Sequence, residues 1–102
     1  MSRSRLELQK YLEDLLGNRQ VYFQPPASIQ MKYPAIVYSL SNMNNIPANN
    51  GSYLVDKTYE LILIDKNPDS VFLDKLIQSP FCRFSRQYTS DNLNHFVFNV
   101  TY

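Results

Sequence analysis

The strongest constraint on the fold is a long strand pattern in the second half of the chain that leads into a helix and then into a closing hairpin. Along residues 53–64 one face is mostly apolar, while the other face is polar in its first part, and residues 61–64 are apolar on both faces. The first face consists of Tyr53, Val55, Lys57, Tyr59, Leu61 and Leu63, and the second of Leu54, Asp56, Thr58, Glu60, Ile62 and Ile64. This pattern predicts a strand over 53–65 that emerges from a covered sheet into an exposed ribbon. Residues 94–102 alternate in the same way, so we expect the end of the chain to belong to the same sheet.

Two amphipathic helices are expected to cover that sheet. The first is predicted over residues 4–16, with Ser4 and Glu7 as a capping box and Gly17 or Asn18 as its left-handed stop. Its apolar stripe has helical spacing. The stripe consists of Leu8, Leu12, Leu15 and Leu16.

The second helix is expected to follow the long strand directly. Asn67 is its predicted cap, Pro68 its first residue, and Asp69 a favourable charge at its start, while Ser79 and Pro80 end it. Its predicted buried stripe consists of Phe72, Leu73, Leu76 and Ile77.

The remaining strands complete one α+β domain over all 102 residues. Short strands are predicted at 21–24 and 35–40, and a closing hairpin at 82–90 and 94–102 that turns around residues 90–92. The order is therefore α-β-β-β-α-β-β, a mostly antiparallel sheet of about five strands covered by two helices. The eight Tyr and six Phe residues fit either a β-rich core, which we favour, or an aromatic binding surface.

Residues 42–52 form the long irregular segment of this prediction. Five Asn residues, one Pro and one Gly make the segment turn-prone. It is interpreted either as a hairpin tip or as a functional protrusion. Met43 and Ile46 favour a protruding loop that contacts a partner.

Composition excludes several classes of function. The net charge of +1 argues against a dedicated nucleic-acid-binding protein, although Arg3 and Arg5 lie together near the N-terminus. The single cysteine, Cys82, forms no internal disulfide and suggests a reducing compartment. No segment approaches the roughly 20 apolar residues of a membrane span, and no signal peptide is recognisable, so we expect synthesis in the cytoplasm.

No combination of residues predicts a reaction centre. Cys82 and His95 could face each other across the closing hairpin, but a lone Cys and a lone His in a β-rich domain are usually packing or surface residues. Metal-ligand spacings and glycine-rich phosphate loops are missing. Arg83 and Arg86 are expected on opposite faces of their strand. We therefore expect no enzyme, no metal and no cofactor.

The order and spacing of several segments resemble the small tail terminator, or tail completion, proteins of long-tailed, non-contractile bacteriophages. The resemblance runs from about residue 6 to the end of the chain. It rests on the N-terminal helix and on the segments VYFQPP (21–26), MKYPAIVY (31–38), KTYEL (57–61), IDKNPDS (64–70), CRF (82–84) and DNLNH (91–95).

This resemblance implies an α+β subunit of a homohexameric ring in the virion, at the head-proximal end of the tail. Such a ring caps the tail tube, stops polymerisation of the tail tube protein, docks onto the head–tail connector and lets DNA pass through its lumen. Arg3 and Arg5 are the candidate lumen contacts. The candidate subunit or partner contacts are Met43, Asn45, Ile46, Asn49, Tyr53, Val55 and Lys57.

Three alternatives remain open at this stage. The chain could be a connector or stopper component from the same region of the virion. It could be a small monomeric adaptor that binds a protein at a free sheet edge. An enzyme that uses Cys82 and His95 is the third.

Overall fold

The computed structural model describes residues 5–26, 29–47 and 53–101. It shows an α+β fold in the expected order of two helices and five strands. The elements are α1 (Arg5–Leu16), β1 (Val21–Phe23), β2 (Ala35–Pro47), β3 (Tyr53–Asp65), α2 (Val71–Gln78), β4 (Cys82–Ser90) and β5 (Leu93–Thr101).

All five strands form one sheet in the order β1-β2-β3-β5-β4. Only β1 and β2 pair in parallel, and the other three pairings are antiparallel. The central strand β3 is flanked by β2 along its whole length but by β5 only from Thr58 to Asp65. The backbone pairing of β3 therefore changes, as predicted, from a strand flanked on both sides to one strand of a two-stranded ribbon.

The core lies between one face of the sheet and the two helices. Leu8, Leu12 and Leu16 are buried along one side of α1, as the leucine spacing predicts, and Leu76 is buried on α2. The strands contribute alternate residues, because successive side chains point to opposite faces of a sheet. These buried strand residues are Val21, Ile36, Tyr38, Tyr59, Leu61, Leu63, Phe96, Phe98 and Val100.

Helix α1 ends at a left-handed glycine. Gly17 has a φ of 79°, and its amide donates to the Glu13 carbonyl oxygen at 2.8 Å. A residue with a Cβ is strained in this conformation, whereas glycine is not. The predicted stop is thus confirmed at Gly17, while Ser4 of the predicted capping box lies outside the described residues.

The substitution Gly17→Ala is expected to lower the free energy of unfolding by about 1–2 kcal/mol. An added Cβ would meet nothing within 4 Å, so the loss would come from the backbone conformation and not from a clash. Urea unfolding followed by circular dichroism measures this difference. The control Lys10→Gln, at an exposed position in the middle of α1, should change stability by less than about 0.5 kcal/mol, because Lys and Gln have similar helix propensities. Equal midpoints for Gly17→Ala and the parent would contradict the prediction.

The predicted start of the second helix is wrong by three residues. Ser70 is the cap, because its Oγ accepts a hydrogen bond from the Phe72 amide at 3.3 Å. Asn67 instead accepts from the Asp69 amide at 2.9 Å and closes a turn before the helix. Ile77 was expected to be buried but is 55% exposed, since the shorter helix presents only a narrow face to the core.

The irregular segment predicted from residue 42 is also corrected. Residues 42–47 continue β2 and pair with β3, after a register shift between Leu40 and Asn42. Pairing along the whole of β3 outweighs the low strand propensity of asparagine, because strand propensity depends strongly on context. The rest of the segment, 48–52, lies outside the described residues.

The closing hairpin is confirmed, with its turn at Asp91 and Asn92. Both residues have positive φ values, 53° and 63°. Two left-handed residues between paired strands match the twist of a hairpin, and Asn and Asp tolerate this conformation better than most residues. The turn fixes the register Ser90↔Leu93 from which the β4–β5 ladder starts.

Candidate interaction surfaces

The ribbon is the part of the β2–β3 hairpin formed by residues 43–47 and 53–57. Neither β1 nor β5 flanks it, because β1 reaches only Tyr38 and β5 reaches only Thr58. Its five residue pairs correspond to about 16 Å of strand. The molecule measures 52 × 29 × 23 Å, which agrees with a projecting element. A two-stranded ribbon is marginally stable alone, so it is a candidate contact surface.

Six of the seven predicted contact residues come together in the ribbon. The pairs that contain them are Met43↔Lys57, Asn45↔Val55, Ile46↔Leu54 and Pro47↔Tyr53. The seventh, Asn49, lies outside the described residues. The structure therefore places these six residues on one hairpin, although the sequence predicts half of them in a loop.

Arg5, one of the two predicted DNA contacts, packs against the protein. Its guanidinium carbon lies 4.5 Å from the centroid of the Phe23 ring, and its Nη1 donates to the Tyr38 hydroxyl at 3.4 Å. This arrangement combines a cation–π contact with a hydrogen bond. Arg5 therefore joins α1 to the sheet, while Arg3 lies outside the described residues.

A polar network continues from this contact along α1. The Tyr38 hydroxyl donates to Gln9 Oε1 at 2.5 Å, and Gln9 Nε2 donates to the Val21 carbonyl oxygen at 2.9 Å. Burial raises the pKa of Tyr38, and the nearby Arg5 partly opposes the shift. The tyrosine thus stays neutral and donates at neutral pH. This network fixes the helix on β1 and β2.

Cys82 and His95 do not form a reactive pair. Cys82 pairs with Val100 and His95 pairs with Tyr88, which separates the two by about 17 Å along β5. Burial raises the pKa of the Cys82 thiol, so the nucleophilic thiolate is disfavoured. The His95 ring stacks on Tyr88 with centroids 4.7 Å apart.

Arg83 and Arg86 lie on the same face of β4, contrary to the prediction. A bulge between Phe84 and Arg86 shifts the register, so that Arg83 pairs with Asn99 and Arg86 pairs with Val97. Residues two apart on β5 share a face, and cross-strand partners do too. Because Ser85 is an extra, unpaired residue in β4, the side chains of Arg83 and Arg86 lie on the same face of the sheet. Nothing in the local sequence reveals this bulge.

A groove of about 680 Å³ adjoins this arginine face where β4 begins. Its lining combines the Arg83 guanidinium with amide and hydroxyl side chains and two apolar loop residues. The lining residues are Thr58, Pro80, Phe81, Cys82, Arg83, Asn99 and Thr101.

The described residues contain no group of three or more His, Cys, Asp or Glu side chains placed to hold a metal ion. Within the same ranges, the helices are too short or too polar to span a membrane. A scan against protein-family models finds no match, and a search of curated proteins finds no significant match.

Proposed function

We propose that the chain is a structural subunit of a ring that caps a phage tail tube, ends tube polymerisation and offers a docking surface to the head. The observation that carries this proposal is the ribbon, which stands beyond the flanking strands of the sheet. A closed ring with one kind of subunit needs two different, complementary surfaces on each copy. The ribbon provides one, and the outward face of the β4–β5 hairpin provides the other.

Two further observations support the proposal. The α+β architecture is the one that the resemblance to tail terminators implies. The segments that carry the resemblance also meet in the fold, since KTYEL lies at the base of the ribbon, and VYF and AIVY pair as β1 and β2.

The proposal predicts a ring of six subunits. Size-exclusion chromatography with light scattering should give six times the subunit mass of 12.0 kDa, at least at high protein concentration. Because a ring could close only on a tube end, the second measurement adds the protein to polymerising tail tube protein and records tube length by electron microscopy. Shorter tubes with one capped end are expected.

A protein that stays monomeric and leaves tube length unchanged would contradict the proposal. The same assay separates a tail terminator from a connector or stopper component. A stopper would bind the connector ring and leave tube polymerisation unaffected.

A further inference from the structure

Within the described residues, strand β4 forms a long edge of the sheet with no further strand beside it. It is the last strand in the order β1-β2-β3-β5-β4, and it is exposed from Arg83 to Ser90. The opposite edge, β1, has only three residues. An edge strand presents unpaired backbone N–H and C=O groups, which can pair with another extended segment. The nine residues of β4 are long enough for such pairing.

One side of this edge is basic. Arg83, Arg86 and Tyr88 share a face, through their register with Asn99, Val97 and His95. The residue Asn99 of β5 pairs with Arg83 on one side and with Glu60 of β3 on the other. Glu60 therefore carries the nearest carboxylate in the row of residues that runs across the strands from Arg83. Glu60 is therefore two strands, or about 10 Å, from Arg83, and the outer rim of this face keeps its positive charge.

The other side of the edge carries an aromatic ring near the start of β4. Phe84 is 46% exposed, and its ring meets Phe98 edge-on with centroids 5.4 Å apart. An added strand that runs beside β4 would thus meet positive charge on one face and an aromatic ring on the other. Because side chains alternate along a strand, the complementary segment alternates acidic and apolar residues.

A second copy of β4 is a poor occupant of this edge. Antiparallel pairing of two β4 strands along their full length, Cys82–Ser90, puts Arg86 opposite Arg86 of the other copy. Like charges directly opposite each other destabilise a strand pair. The positive charge of the edge therefore disfavours pairing with β4 of a second copy and favours an acidic partner.

We propose that β4 accepts, as a sixth strand, an extended segment of a partner protein in which acidic and apolar residues alternate. Backbone hydrogen bonds to β4 supply affinity, and the alternating side chains supply specificity. Carboxylates of the segment pair with Arg83 and Arg86, while its apolar side chains pack beside Phe84. The groove at Arg83 has room for the first of these carboxylates beside Asn99, Thr58 and Thr101. The pairing uses the backbone edge of β4, so it can form in a single subunit, although Arg83 and Arg86 belong to the same hairpin that is proposed above to contact a neighbouring subunit.

The test measures binding of a fluorescent peptide of about nine residues in which Glu and Val alternate, by fluorescence anisotropy. Saturable binding is expected. A peptide of the same composition with its Glu residues in one block should bind at least about tenfold more weakly, because it cannot place all carboxylates on one face. Backbone N-methylation of the alternating peptide should abolish binding, since it removes the donors for strand pairing.

Variants of the protein locate the site. The double substitution Arg83→Glu and Arg86→Glu should weaken binding by about 10- to 100-fold, because it replaces two exposed charges that attract the acidic segment with two that repel it. The control Arg19→Glu changes the charge in the same direction at an exposed position outside the sheet, and should leave binding unchanged. Circular dichroism verifies that each variant is folded.

Three results would overturn the proposal. The first is the absence of peptide binding to the folded parent protein. The second is equal binding of the N-methylated peptide, which would show attraction by charge without strand pairing. The third is that the protein binds a DNA duplex but not the peptide, and that substitution of the two arginines abolishes this DNA binding.

Discussion

Replacing residues 44–56 by an Asn-Gly turn is expected to produce a folded monomer that no longer assembles into rings. The new turn would join Met43 to Lys57, which already pair across the hairpin, and a two-residue Asn-Gly turn suits such a pair. The cross-strand pairs on the sheet side of the new turn, from Asn42↔Thr58 to Ala35↔Ile64, are all kept. We therefore expect the free energy of unfolding to stay within about 1 kcal/mol of the parent.

Assembly should respond differently, because the shortened protein lacks one of the two surfaces that ring closure requires. The association constant is expected to fall at least tenfold, equivalent to about 1.4 kcal/mol. Light scattering over a concentration series measures the subunit number, and urea unfolding measures the stability of the same sample.

A matched control places the same turn at the other hairpin. Asp91→Asn with Asn92→Gly keeps the length of the chain at two residues whose φ values are already positive. This variant should fold and assemble like the parent, because the proposed contact uses the outward face of strands β4 and β5 and not the turn between them. If the protein with the shortened ribbon also forms rings and caps tubes, the ribbon is a passive hairpin and the proposed contact is wrong.

Elements with strong periodicity could be predicted from sequence closely. The observed bounds of β3 equal the predicted bounds at both ends. A pattern of thirteen residues that first alternates and then is continuously apolar is compatible with few structures other than a strand. Helix α1 ends where its leucine stripe meets Gly17. Both elements carry their own local signal, since spacing and a glycine stop act over a few residues.

Two of the errors fall where strand pairing overrides local preference. Residues 42–47 form a strand because β3 lies beside them, although their asparagines favour turns. The bulge at Ser85 arises from the register between β4 and β5, which no residue in β4 indicates. As a result the ribbon could be located in part from sequence, while the basic face of Arg83 and Arg86 could not.

The largest loss of stability from one substitution is expected for Phe98→Ala. Phe98 is fully buried and pairs with Leu61 on one side and Phe84 on the other. Truncation of a buried Phe costs about 3–5 kcal/mol, because apolar burial is lost and a cavity remains. Since small domains have a total stability of about 5–15 kcal/mol, the variant should be close to unfolding. The chain has no Trp, so far-UV circular dichroism in urea is the measurement.

The cross-strand partner of Phe98 supplies the control. Phe84→Ala removes the same aromatic pair, with its 5.4 Å ring separation, from a residue that is 46% exposed. Its expected cost is only about 1 kcal/mol, because an aromatic pair contributes about 0.5–1.5 kcal/mol and little burial is lost. Both variants lose the same ring contact, so the difference between their free energies of unfolding measures the contribution of the burial of Phe98. Equal losses would mean that Phe98 is no more buried than Phe84, which would place the centre of the core away from β5.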